Sequence, residues 1–328
     1  MEKRRISRLI KKCKEVGRLI VSITMNPSID ISYPLETFQL DTVNRVANVT
    51  KTAGGKGLNV ARVLYQSGAD TLASGLVGGH FGGFIQEKLS NEGIHHRFFM
   101  IEEETRNCIA ILHQGKQTEI LEQGPEISND ETKGFLSHFD QIIEQASMLT
   151  FSGSLPAGLP ADYYKEMIDL CHKKHKPVVL DCSGRALQNV LKGQTKPVLI
   201  KPNREELAAL LGRNVKNTNA DLKENLMSPL FDGIEWIVVS LGADGAFAKH
   251  FDTFYQVKIP SIKVVNPVGS GDATVAGLAQ ALDCKQSDEK VLKHGSALGM
   301  LNAKEKVTGQ VNMQNYRALF DQIQVKKV

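Results

Sequence analysis

No apolar run in this 328-residue chain approaches the roughly 18 to 20 residues that a bilayer-spanning helix needs, so no membrane segment and no membrane partner are expected. No apolar h-region follows the first basic residues, which argues against a secretory signal. The five cysteines, at 13, 108, 171, 182 and 284, form no CxxC pair and leave an odd count. Reduced thiols in a cytoplasmic protein are expected, not a disulfide framework. There is no HExxH, zinc-ribbon spacing, nucleophile elbow or internal repeat. Cys171-His172 with His175 lacks a third ligand and lies on a lysine-rich helical stretch, which reads as a solvated face. Lys56 follows a glycine but precedes Gly57, not Ser or Thr, and no glycine stands five residues before Gly55, so a Walker A loop is excluded. No GxGxxG sits between a strand and a helix, which removes the basis for a Rossmann dinucleotide site.

What is present is the composition of an ordinary globular protein, 41% hydrophobic and 23% charged. The length suits one large domain with an accessory piece. The formal charge of +4 is unevenly spread: residues 1–18 hold eight Lys/Arg against two Glu, so the remainder is slightly acidic. Ile6, Leu9, Ile10 and Cys13 follow helical spacing, which would suit a basic amphipathic helix on an anionic surface. We read residues 1–18 as an extension outside the fold, with no nucleic-acid partner, and residues 19–328 as the domain.

Within that domain, short apolar runs at 19–24, 148–151, 177–181, 198–203 and 236–242 alternate with helical patterns at 131–147, 162–174 and 205–211. This alternation predicts an α/β fold, a doubly wound and mostly parallel sheet with helices on both faces. Polar–apolar alternation at 31–52 and again at 96–122 predicts half-exposed strands that pair into a small β-sheet lid over a ligand cleft. Several of the main strands end in polar or glycine-rich turns, the edge at which open α/β sheets bind ligands.

Four places on that edge carry chemistry. Asp30, beyond the first strand, is placed to hydrogen-bond a polyol, although a turn Asp reads the same way. Gly54-Gly55-Lys56-Gly57-Leu58-Asn59 combines close backbone approach, a cation and an amide in a first helical turn. Asn203 and Glu206 share one face of a starting helix, suited either to Mg²⁺ through waters or to a helix cap. Finally, Val264-Val265-Asn266-Pro267-Val268-Gly269-Ser270-Gly271-Asp272 brings an apolar run to a Pro, frees the backbone with two glycines and starts a helix at a carboxylate. Its amides would form an anion hole beside a base, Asp272, unless the Asp is only an N-cap.

Taken in order, the Asn26-to-Asp30 start, Gly54 to Ala61, Ser152-Gly153-Ser154-Leu155-Pro156, Lys201 to Glu206, Ser240 to Gly245 and Gly269 to Asp272 resemble the phosphofructokinase B family of ribokinase-like sugar kinases. The segments Thr105 to Ile111 and Val264 to Asp272 are similar to its branch acting on D-tagatose 6-phosphate. The resemblance implies ATP as phosphoryl donor, Mg²⁺, and a homodimer formed through the lid. It implies that Asp272 is the base for the sugar 1-hydroxyl and that Gly269, Ser270 and Gly271 supply the anion hole. Asp30, Gly54, Gly55 and Asn59 would hold sugar hydroxyls, Lys56, Arg106 and Arg45 would grip the 6-phosphate, and Ser154 would also contact the substrate. Lys201, Asn203, Ser240, Gly242, Gly245, Val268, Gly269, Gly271 and Asn302 would lie along ATP, and Asn203 with Glu206 would organise Mg²⁺. Two departures stand out: Asn266-Pro267 replaces the acidic-Thr pair common upstream of the family's glycines, and Ser270 replaces a frequent Ala. The alternatives are a fructose-phosphate kinase of the same family and a non-catalytic sugar-phosphate sensor on the same fold.

Overall fold

The computed structural model describes residues 17–328, so all of the basic extension except Gly17 and Arg18 lies outside the described residues. Fifteen strands follow in chain order. They are β1 (Leu19–Thr24), β2 (Ser28–Leu35), β3 (Thr50–Gly54), β4 (Asp70–Gly78), β5 (His95–His96), β6 (Phe99–Ile101), β7 (Arg106–His113) and β8 (Lys116–Leu121). Then come β9 (Met148–Ser152), β10 (Val178–Asp181), β11 (Leu199–Ile200), β12 (Trp236–Ser240), β13 (Ala246–His250), β14 (Thr253–Lys258) and β15 (Gln324–Lys327). Eleven form one sheet in the order β15-β14-β13-β12-β11-β10-β9-β1-β4-β5, with β6 also on β4. It is parallel from β4 to β12 and antiparallel from β12 to β15.

Alternation along the parallel strands explains why both faces are covered. Val21 and Ile23, Leu149 and Phe151, Ile237 and Val239 point to one apolar cluster, while Ile20, Met148, Trp236 and Val238 point to another. The first cluster takes the helices Asn129–Ile143 and Tyr163–Lys173; the second takes Lys56–Gln66, Ser270–Asp283 and Asp288–Ala303. Local signals match these placements. Ser128 and Glu131 close a capping box at the start of Asn129–Ile143, and Phe135, Phe139 and Ile142 fall on its buried face.

A second sheet, β3-β2-β7-β8, is the lid. Ile29 and Ile31 on β2 pack with Leu58, Val77 and Ile85 of the body, which turns Asp30 to the opposite face. The lid differs from the sequence expectation in two places. Thr42 to Val46 form no strand and lie in a mostly exposed connection between β2 and β3. Residues 95–101 add β5 and β6 to the large sheet instead, because Phe98 and Ile101 are buried against the body. The lid's second segment therefore begins at Arg106. Cys108, Cys171 and Cys182 are free thiols. Among the described residues no helix is long and apolar enough to cross a membrane.

Candidate active site

Polar residues collect at the carboxyl ends of the parallel strands: Thr24 ends β1, Ser152 ends β9, Asp181 ends β10 and Ser240 ends β12. Polar side chains inside these strands, such as Ser22 and Thr150, are satisfied by hydrogen bonds within the protein. Those at the carboxyl ends lie at the edge where open α/β sheets bind ligands, so these positions mark the cleft. Two cavities open there. One, of about 200 Å³, lies beside the lid and is lined by Thr24, Asn26, Lys56, Arg106, Ser152 and Ser154, among others. The other, of about 770 Å³, runs along the Ser240–Gly245 turn, Ile259 and Ile262 to Ser270 and Gly271.

Asp272 is buried and lines neither cavity, but it follows Gly271 of the groove and feels the charge of Lys56 in the small cavity. It is the third residue of the Ser270–Asp283 helix, whose N-cap Gly269 has φ 81°. That left-handed conformation strains any residue with a Cβ, and a Cβ there would also come within 2.4 Å of the Thr308 side chain. The Ser270 amide is turned back onto the Pro267 carbonyl, leaving Gly271 and Asp272 as the first-turn amides available to an anion. Asn59 Nδ2 donates to Asp272 Oδ2 at 2.9 Å. Burial, then the charge of Asp181, raise the Asp272 pKa to about 7, against the pull of the Asn59 bond and of Lys56 and Lys201. A carboxylate so poised exchanges protons near neutral pH, as a general base must.

Asp181 was not singled out from the sequence, although an acid ending a buried strand is a readable signal. It lies 3.8 Å from Lys56 Nζ and 3.5 Å from Lys201 Nζ. Its charge is the main reason that the Lys56 pKa is raised. Lys201 is buried and lies below Gly271, where an added Cβ would sit 3.4 Å from its ammonium. Two cations and a bridging carboxylate thus stand beside the anion hole.

The sugar-side residues divide. Asp30 accepts from Ser28 Oγ at 2.6 Å, and burial raises its pKa. A Cβ on Gly54 would come within 2.0 Å of the Asp30 carboxyl, so glycine there is what makes room for it. Gly55 is the N-cap of Lys56–Gln66. Asn59 has its amide nitrogen on Asp272 and its oxygen on Arg62, so the structure gives it the base as a partner. Arg106 donates to the carbonyls of Glu122 and Asn26 and still has a buried Nε without a partner. Arg45 lies exposed on the β2–β3 connection and does not line the small cavity. Thr24, Asn26, Ser152 and Ser183 line that cavity and were not expected.

On the other side, Asn203, Ser240, Gly242, Gly245, Ser270 and Gly271 all line the large groove. Asn203 and Glu206 close a capping box, with the Asn203 Oδ1 and one Glu206 oxygen occupied by backbone amides at 2.8 Å. Asn302 is buried and does not line the groove: it donates to the Val268 carbonyl and accepts from the Gly309 amide, clamping the anion-hole loop. Val264, Val265 and Val268 are about half exposed in an irregular segment, so no strand leads into Pro267. Asn266 Oδ1 accepts from the Val268 amide and its Nδ2 donates to the Lys306 carbonyl, which accounts for an amide there: a carboxylate could not make the second bond.

Comparison with known proteins agrees with this geometry. The chain is similar over 94% of its length to 99% of a Staphylococcus aureus protein assigned as a phosphofructokinase, with 31% identity and a TM-score of 0.81. Phosphofructokinase-2 from Escherichia coli, in a complex with potassium, shares 26% identity over 93% of this chain and 98% of its own, with a TM-score of 0.85. A Thermotoga maritima protein assigned as a possible 1-phosphofructokinase shares the fold, with 24% identity, 95% and 100% coverage and a TM-score of 0.82. Residues 20–314 match the description of the pfkB family carbohydrate kinases, and the chain belongs to that family.

Proposed function

We propose that this carbohydrate kinase transfers the γ-phosphoryl group of ATP to the 1-hydroxyl of D-tagatose 6-phosphate, giving the 1,6-bisphosphate and ADP. The observation that carries the sugar-phosphate reading is the small cavity. Among the described residues, five buried side-chain polar atoms lack a hydrogen-bond partner, and four of them, on Thr24, Asn26, Arg106 and Ser152, belong to its lining. Such atoms are costly unless a ligand satisfies them. With Lys56 and Arg106 present and no acidic side chain in the lining, that ligand is anionic, as the 6-phosphate is. Asp30 beside Gly54 then meets the sugar hydroxyls.

In this reading the Asp272 carboxylate takes the 1-hydroxyl proton as its oxygen attacks phosphorus, and the Gly271 and Asp272 amides balance charge on the transferring group. ATP occupies the large groove, with the Ser240–Gly245 turn along it. Among the described residues no group of three or more His, Cys, Asp or Glu side chains could hold a metal ion. The second Glu206 carboxylate oxygen, left by the Asn203–Glu206 capping box, suits Mg²⁺ that is held mainly by nucleotide phosphates and waters. When bound, Mg²⁺ neutralises phosphate charge. Measured kcat/KM for tagatose 6-phosphate, fructose 6-phosphate and fructose 1-phosphate tests the assignment: tagatose 6-phosphate should lead, with some activity on its fructose epimer. A clear preference for fructose 1-phosphate would overturn it.

We also assign this enzyme a homodimer formed through the lid. The β7–β8 pair exposes Leu112 and Leu121 on one face and Ile120 on the other, and the neighbouring connection exposes Leu40 and Val43. Light scattering should give twice the chain mass, and Ile120→Lys should return it to one.

A further inference from the structure

Arg62 is almost fully buried, yet it touches no cavity of the site. Its three donors go to three different elements. Nε donates to Glu92 Oε2 at 2.7 Å, Nη2 to the Ala53 carbonyl of β3 at 2.7 Å, and Nη1 to Asn59 Oδ1 at 3.2 Å. Glu92 follows the helix Gly79–Asn91, and Ala53 directly precedes Gly54, where the lid joins the Lys56–Gln66 helix. The fourth side is closed by Gly309, where a Cβ would come within 3.0 Å of both Arg62 Nη1 and Asn59 Oδ1.

We propose that Arg62 is a positioning residue for the base: it fixes the Asn59 amide so that the nitrogen, not the oxygen, meets Asp272. The two ends of a carboxamide have nearly the same shape, so packing alone does not choose between them. A guanidinium can only donate, which obliges Oδ1 to face Arg62 and leaves Nδ2 for Asp272 Oδ2. Without Arg62 the amide is free to turn, and its oxygen opposite Asp272 would favour the protonated acid. The proposal rests on Asp272 being the base. The other charged groups facing Asp272 are Asp181 from β10, Lys56 from the first turn of its helix, and Lys201 beyond β11; none of them contacts Arg62.

The test is the acid limb of kcat against pH, with ATP and tagatose 6-phosphate or whichever ketohexose phosphate the parent turns over best. Arg62→Met should move its midpoint up by about one pH unit, the effect of losing one hydrogen bond to a charged group. Turnover at pH 7 should then fall about fivefold and return toward the parent value at pH 9. Arg62→Lys keeps the charge opposite Glu92 but brings one nitrogen to three acceptors, so it should shift the limb the same way by less. It decides the question if the Met variant does not bind ATP. In an Asn59→Ala background, Arg62→Met should add no further shift. An unshifted limb in an ATP-binding Arg62 variant, or a full additional shift in the Asn59→Ala background, would overturn the proposal. Undiminished turnover in Asp272→Asn would instead overturn the base assignment beneath it.

Discussion

The cavity under the lid and the groove beside the Ser240–Gly245 turn share no lining residue, and they are built from different material. The first holds about 200 Å³ among side chains whose polar atoms lack partners. The second holds about 770 Å³ between apolar walls that include Val238, Ile259, Leu278 and Met300. A tight polar pocket selects through hydrogen bonds that only the right ligand completes, while a broad apolar groove binds through area. Recognition of the acceptor and accommodation of the donor are thus assigned to different walls, and a change to one should leave the other's affinity alone.

The base proposed to act between the two gives the largest expected effect. Asp272→Asn keeps the shape and an acceptor for Asn59 but cannot take a proton, so kcat should fall by about 10² to 10⁴ with the KM for ATP nearly unchanged. A sensor without catalysis would show no turnover to lose. Next in size is Arg106→Met, which removes a donor from the small cavity only. The KM for the sugar phosphate should rise by roughly 10- to 100-fold, the range for one charge-assisted bond, while that for ATP stays put. A parallel rise in both constants would break the division of labour. Ser296, on the far wall of the groove, offers the converse: Ser296→Trp should raise the KM for ATP about tenfold by filling part of a site that binds through area, with the sugar-phosphate constant unmoved.

The difference between the two walls also decided how much could be read in advance. The parallel sheet was legible because strands buried on both faces write continuous apolar runs, and Leu19 to Thr24 or Trp236 to Ser240 admit few other readings. Asp272, Lys56, Ser240 and Gly271 stood out because glycine or a helix start flanks them. Thr24 did not, and Asn26 and Ser152 entered only as motif positions without a site role, since a hydroxyl or amide at or just past a strand end carries no pattern of its own. Their meaning comes from missing partners, which only the folded chain reveals. Arg62 was hidden for the opposite reason: inside an amphipathic helix it reads as a solvated residue, and only tertiary contacts bury it. The lid was misplaced at 96–101 because a half-buried edge strand alternates in the same way on either sheet. Of the two readings of Asn203 and Glu206, the structure shows the helix cap: the capping box occupies the single Asn203 side-chain oxygen and one Glu206 oxygen, and leaves Glu206 close enough to raise the Lys56 pKa.

The smallest effect is read without any substrate. Burial holds the Asp272 pKa near 7, above its value in an unfolded chain, so folding favours the protonated acid. Its contribution is therefore fully present below the ordinary carboxylate range, declines as pH rises through the window from about 4 to about 7, and is lost above it. A neutral Asn does not bear the cost of being buried as an anion. Asp272→Asn should then match the parent's thermal stability at pH 4 and exceed it at pH 8, by on the order of a few kcal/mol at most. Melting curves at the two pH values measure this difference. A variant equally stable at both would mean that Asp272 is ionised at little cost, already satisfied by Asn59, Lys56 and Lys201. The carboxylate would then be a poor base at neutral pH, and the two cavities would lack the catalyst proposed to act between them.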